Sequence, residues 1–138
     1  MKTLKQQFPL LCTLVLVCAI SVACDSSSDP GPSVDVTGTW VGLCTVEGDA
    51  PFNSTWTYVQ TDANVGGTVS GGLSIAGTVS ENVVTATAFV QFNATNSQLL
   101  TYTASVAGDT MSVSGSFTED MNGTITIRNF TCSLARVP

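Results

Sequence analysis

The chain has 138 residues, with ten carboxylates against four lysines and arginines, no histidine and a formal net charge of −6. That balance argues against nucleic acid and anionic membrane surfaces as electrostatic partners. Without histidine the usual nucleophile–base pairs and the commonest zinc ligand are missing, and the length suits one domain with a modest core.

Lys2 and Lys5 precede an almost wholly apolar run from Leu10 to Ala19, and Ser21-Val22-Ala23 places small residues before Cys24. The run is shorter than the ~20 residues a membrane-crossing helix needs. Its layout resembles a bacterial lipoprotein signal, which implies removal of residues 1–23, a mature start at Cys24, and acylation of that thiol with chains such as palmitate. Ser21 stands where such signals usually carry leucine, so cleavage before an unlipidated Cys24 is the alternative. Both lysines leave with the signal, and Arg128 and Arg136 then face all ten carboxylates, a formal −8. Residues 24–35 are polar, rich in turn formers and aperiodic, which predicts a flexible tether with a reach of about 20 Å. The expected location is the cell envelope, with the membrane reached through the N-terminal lipid at the inner or outer membrane and the domain in the periplasm or at the cell surface.

From Val36 onward, β-branched and aromatic residues alternate with Thr and Ser between short Gly-, Asn- and Asp-containing breaks, the pattern of antiparallel strands. Eight are predicted, at about 36–46, 52–60, 65–71, 73–79, 83–93, 98–107, 110–118 and 123–134. Alternation assigns one apolar face to Val84, Ala86, Ala88, Val90 and Phe92, to Leu100, Tyr102, Ala104 and Val106, and to Met111, Val113, Gly115 and Phe117. A meander with one apolar face buries it by curling into a closed eight-stranded up-and-down barrel over residues 36–138; a two-sheet sandwich is the alternative. The last strand changes phase, since Ile125 and Ile127 are odd while Phe130, Cys132 and Leu134 are even. A bulge near Arg128-Asn129 is the expected reconciliation.

With Cys24 assigned to lipid, Cys44 and Cys132 remain as an isolated pair, which in an exported protein most often forms a disulfide. If the barrel closes by pairing its first and last strands with these cysteines opposite each other, antiparallel register places Trp40 opposite Arg136 and Val46 opposite Phe130. Gly38-Thr39-Trp40 on the first strand and Arg136 near the last resemble the lipocalin and calycin pattern. The likeness is closest to small bacterial lipocalin-like lipoprotein domains. It implies that Arg136 packs across the Trp40 indole as a structural cation–π partner. Avidin-type barrels also begin Gly-Thr-Trp, but they line the biotin pocket with later tryptophans, and none follows Trp56.

Paired carboxylates remain the formal route to catalysis, yet Glu47, Asp49, Asp62, Glu81, Asp109, Glu119 and Asp120 all fall in or beside predicted turns, so no enzyme activity, metal or cofactor is expected. Trp40, Trp56, Tyr58, Phe92 and Tyr102 either line a small-ligand cavity or fill the core. Two functions follow. One is a non-catalytic, membrane-anchored envelope lipoprotein holding a small apolar ligand in its barrel. The other is a structural or protein-interaction module with a filled barrel.

Overall fold

The computed structural model describes residues 31–138. The signal, Cys24 and the first part of the tether lie outside the described residues. Eight antiparallel strands follow one another, β1 Gly38–Val46, β2 Phe52–Thr61, β3 Asn64–Val69, β4 Leu73–Ser80, β5 Val83–Asn93, β6 Asn96–Ala107, β7 Thr110–Met121 and β8 Thr124–Arg136. Each pairs with its neighbours in sequence, and β1 closes the sheet against β8. The result is a closed up-and-down barrel without open edges, an architecture consistent with the lipocalin resemblance. Alternation drives this outcome, because every strand has one inward row that the others must cover.

The seam has the expected register, with Cys44 opposite Cys132, Trp40 opposite Arg136 and Val46 opposite Phe130. Cys44 and Cys132 form a disulfide across it, with Cα atoms 4.0 Å apart. Tight curvature needs small inward residues. A Cβ at Gly42 would lie 1.9 Å from the Ser133 carbonyl oxygen, and one at Gly115 would lie 2.1 Å from that of Thr101. Glycine lets the strands approach there where any side chain would force the backbones apart.

One end, the base, carries the start of β1, the end of β8 and the turns at 62–63, 81–82 and 108–109. Residues 31–37, of which 31–35 were assigned to the flexible tether and 36–37 to the first strand, run across it as a strap. Ser33 N–H donates to the Glu81 carbonyl at 2.8 Å. Val36 N–H donates to Gln60 Oε1 at 2.9 Å, and Gln60 Nε2 donates to the Val34 carbonyl at 3.2 Å. Val36 is fully buried and Val34 packs against the core. The tether reading rested on composition, and it missed that Val34 and Val36 supply the apolar contacts that seat the strap.

Two other expectations fail for a related reason. Strand β5 shifts register between Gln91 and Asn93, and Phe92, in that irregularity, is 53 % exposed rather than inward. Strand β8, in contrast, pairs with β7 without interruption from Met121–Thr124 to Thr110–Ala135, so the bulge expected at Arg128-Asn129 is absent. Ile125 and Ile127 therefore stand on the outer face, 64 % and 67 % exposed. The inward positions of this end belong to Arg128 and, on β7, Glu119.

Candidate ligand-binding site

The barrel interior divides into two storeys. At the base, the Trp40 indole is fully buried and its Nε1 donates to the Val36 carbonyl at 3.0 Å. The Arg136 guanidinium lies 4.5 Å from the Trp40 ring centre. It donates to the Thr37 carbonyl at 2.8 Å and to the Asp35 carbonyl. Asp35 in turn accepts the Thr37 amide at 2.8 Å, and hydrogen bonding from the Thr37 hydroxyl and amide holds its carboxyl below the usual range. This end is sealed.

Above it, Tyr58 and Tyr102 meet hydroxyl to hydroxyl at 3.0 Å in the buried interior. Burial, reinforced by the neighbouring Tyr102, pushes the Tyr58 phenol far up. Burial also raises Tyr102, partly offset by its hydrogen bond to Tyr58. Both phenols are neutral across the physiological range. Trp56 sits on this pair, edge-on to Tyr102 with ring centres 5.1 Å apart and 6.3 Å from Tyr58.

Beyond Trp56 the barrel opens into a cavity of about 270 Å³. Its apolar wall includes Trp56, Val69, Leu73, Leu100, Phe117 and Phe130. Ser54, buried among the core side chains, also faces the cavity and pairs with Ser70 at 3.0 Å between hydroxyl oxygens.

A chain of polar side chains crosses the mouth. Gln98 Nε2 donates to Glu119 Oε1 at 2.9 Å, Arg128 Nη2 donates to Glu119 Oε2 at 2.9 Å, and Arg128 Nη1 donates to Asp49 Oδ2 at 2.6 Å. The Arg128 guanidinium also lies 5.5 Å from the Phe117 ring centre. Hydrogen bonding to Asp49, with the Glu119 carboxylate adding, raises the arginine pKa further, so its head is a fixed cation. Two carboxylates and one guanidinium leave the rim with a formal charge of −1.

Of the five aromatic candidates, the structure stacks Trp56, Tyr58 and Tyr102 at mid-barrel, places Trp40 in the sealed base and leaves Phe92 outside. Only Trp56 borders the cavity. Sequence reasoning missed Gln98, Glu119 and Arg128. The signal was present in the phase change of β8, which marks a straight strand with a polar inward end. The sequence places Glu119 beside a turn, but β7 runs on to Met121 and keeps it inward.

The geometry offers a half-open, largely apolar space with a polar rim and, among the described residues, no nucleophile–base pair. Among the described residues, no cluster of three or more His, Cys, Asp or Glu side chains is placed to hold a metal. Comparison with models of known families, with curated proteins and with solved structures gives no significant match.

Proposed function

We propose that this protein is a non-catalytic binding domain that takes one small apolar molecule into the mouth of its barrel, carried on the cell envelope by a lipid at Cys24. The single observation that carries the reading is the 270 Å³ cavity between the rim and Trp56, in a barrel whose opposite end is filled. A void of 150 Å³ with an apolar lining holds a molecule the size of benzene, so one of this size holds about ten non-hydrogen atoms. The lipoprotein part rests on the signal-like run before Cys24.

Native mass spectrometry of the purified domain tests the binding reading. A ligand-sized mass increment that disappears on denaturation supports it; an empty protein that also takes up no small apolar probe overturns it. Replacing Cys24 with Ser tests the anchor, since the variant should leave the membrane fraction, and a variant as membrane-bound as the parent refutes lipidation.

A second reading, an interaction module of the envelope, has its own support on the outer face. Register aligns Phe89 on β5, Leu99 on β6, Thr118 on β7 and Ile127 on β8 in one row, with Ile125 nearby. Phe89 and Ile127 are 44 % and 67 % exposed. Charged replacements there should abolish association with a partner under this reading and leave ligand uptake untouched under the first.

A further inference from the structure

Closure leaves the barrel wall without edges, but four of the eight strands outrun it. β1 to β4 have 9, 10, 6 and 8 residues, whereas β5 to β8 have 11, 12, 12 and 13. The β1–β8 ladder stops at Val46–Phe130 and the β4–β5 ladder at Ser74–Phe89, while β7 and β8 stay paired up to Met121–Thr124. A four-stranded lip therefore stands above the mouth with two free edges, 90–93 on β5 and 124–128 on β8.

The two edges are built differently. On β5 the register shifts between Gln91 and Asn93, an irregularity of the kind that blunts an edge against pairing. On β8 the edge segment Thr124-Ile125-Thr126-Ile127-Arg128 is regular, β-branched up to its arginine, and free of proline, glycine and lysine. Its orientation follows from the last bond to the seam, in which Glu47 N–H donates to the Asn129 carbonyl at 2.8 Å. Alternate residues of a strand present their backbone groups to the same side. Ile127 and Ile125 therefore aim theirs past the end of β1, while Thr124, Thr126 and Arg128 aim theirs at β7. Among the described residues nothing bonds to the outward N–H and C=O groups of Ile125 and Ile127.

We propose that this edge pairs with the same edge of a second copy of the chain, antiparallel about Thr126, so that the two lips form one continuous sheet. The segment is complementary to itself in that register. Ile125 lies opposite Ile127 of the second copy and Ile127 opposite its Ile125; each pair exchanges both backbone hydrogen bonds, and the isoleucines gather on the outer face. Thr126 meets its own counterpart, and Arg128 meets Thr124, so no like charges oppose each other. The Arg128 head stays on the inner side with Asp49 and Glu119. Such a pairing is isologous and closes at two copies, because the edges left at the ends of the joint sheet are the blunted ones of β5. It goes beyond the ligand-binding reading and does not depend on it, and it gives the interaction reading a specific partner.

The test uses the full chain with Cys24→Ser, followed by sedimentation equilibrium and amide hydrogen exchange as the concentration is raised. An interface this small is weak, so dimer should appear between about 10 µM and about 1 mM. The Ile125 and Ile127 amides should exchange freely in dilute protein and become protected in step with the dimer, while the Thr126 amide, aimed at β7, is protected throughout. Ile127→Pro removes an outward donor and no bond to β7, and Ile125→Lys puts a charge on the edge. Each should weaken the dimer about tenfold or more, since every change counts twice in a two-fold pair. Phe89→Lys, on the outer face away from the edge, should leave it unchanged. A protein that stays monomeric to about 1 mM overturns the pairing, as does a dimer that withstands both edge variants. Protection of Ile125 and Ile127 that does not vary with concentration overturns it in favour of residues preceding Gly31 as the cover. A dimer lost with Phe89→Lys but kept with Ile127→Pro overturns the edge and moves the contact to the outer row, leaving the interaction reading standing.

Discussion

The two ends of the barrel use the same residue types to opposite effect. At the base, Arg136 covers Trp40 and its terminal nitrogens donate to strap backbone carbonyls, with the exposed Asp109 carboxylate 3.5 Å from its Nε; the indole N–H also donates to a strap carbonyl. At the mouth, Arg128 covers Phe117, but its bonds go to side-chain carboxylates from β7 and the β1–β2 loop, and the nearby Trp56 N–H goes unanswered. The strap carbonyls are held in place by the strap's own bonds to Glu81 and Gln60 and by buried Val36, whereas ion pairs near the surface contribute little to stability and exchange readily with water. An arginine held mainly by the strap's main chain therefore seals, and one held by side chains alone leaves an entrance.

The largest disturbance should come from the seam that serves both ends. Replacing Cys44 and Cys132 with Ala frees a loop of 88 residues and should lower unfolding stability by about 4–5 kcal/mol on the chain-entropy model, read from denaturant midpoints. A loss below about 1 kcal/mol would show that the ladder alone fixes the closure.

Next comes the direct contrast between the tryptophans. Trp40→Ala should cost about 3–5 kcal/mol, the usual range for a large core truncation. Trp56→Ala should cost at least about 1 kcal/mol less, because the indole face toward the cavity has fewer contacts to lose. Equal losses would mean that the mouth is packed as tightly as the base.

Alkaline titration probes the boundary between the storeys. The chain has two tyrosines, and both are buried with phenol pKa values raised above the ordinary value of about 10. For such a group the unfolded chain loses its proton first. The stabilisation is therefore complete below about pH 10 and falls above it by about 1.4 kcal/mol per pH unit for each tyrosine. Tyrosinate absorbance should appear together with loss of the barrel, in one step. Smooth ionisation near pH 10 in the folded protein would place the phenols within reach of solvent.

The smallest effect on folding is expected at the rim. Arg128→Gln should shift the unfolding midpoint less than the same change at Arg136, yet alter probe affinity, since it removes the cation between Glu119 and Asp49. A rim variant as destabilised as the base variant would erase the difference between the two ends.

The strands, their order and the seam were legible because period-two alternation sets one face and the cysteine pair pins one register, which carried Trp40 to Arg136. The mouth was harder for the same physical reason. Alternation reveals which residues share a face, but it does not say which face is inside once the strands pass beyond the core. In the β7–β8 hairpin the polarity inverts, with Glu119 and Arg128 inward and Ile125 and Ile127 outward. An inverted pattern and a bulge that restores the usual one look alike in sequence. Phe92 shows the converse, since the shift between Gln91 and Asn93 breaks the alternation that placed it inside.

The strap across the base also sets a direction of traffic. Residues 31–37 enter the barrel at the sealed end, so an anchor at Cys24 would pull that end toward the bilayer and hold the mouth roughly 25 Å farther out, about one strand length away. Cargo would then be exchanged with the aqueous compartment or with a facing protein, and not by extraction from the lipid beneath.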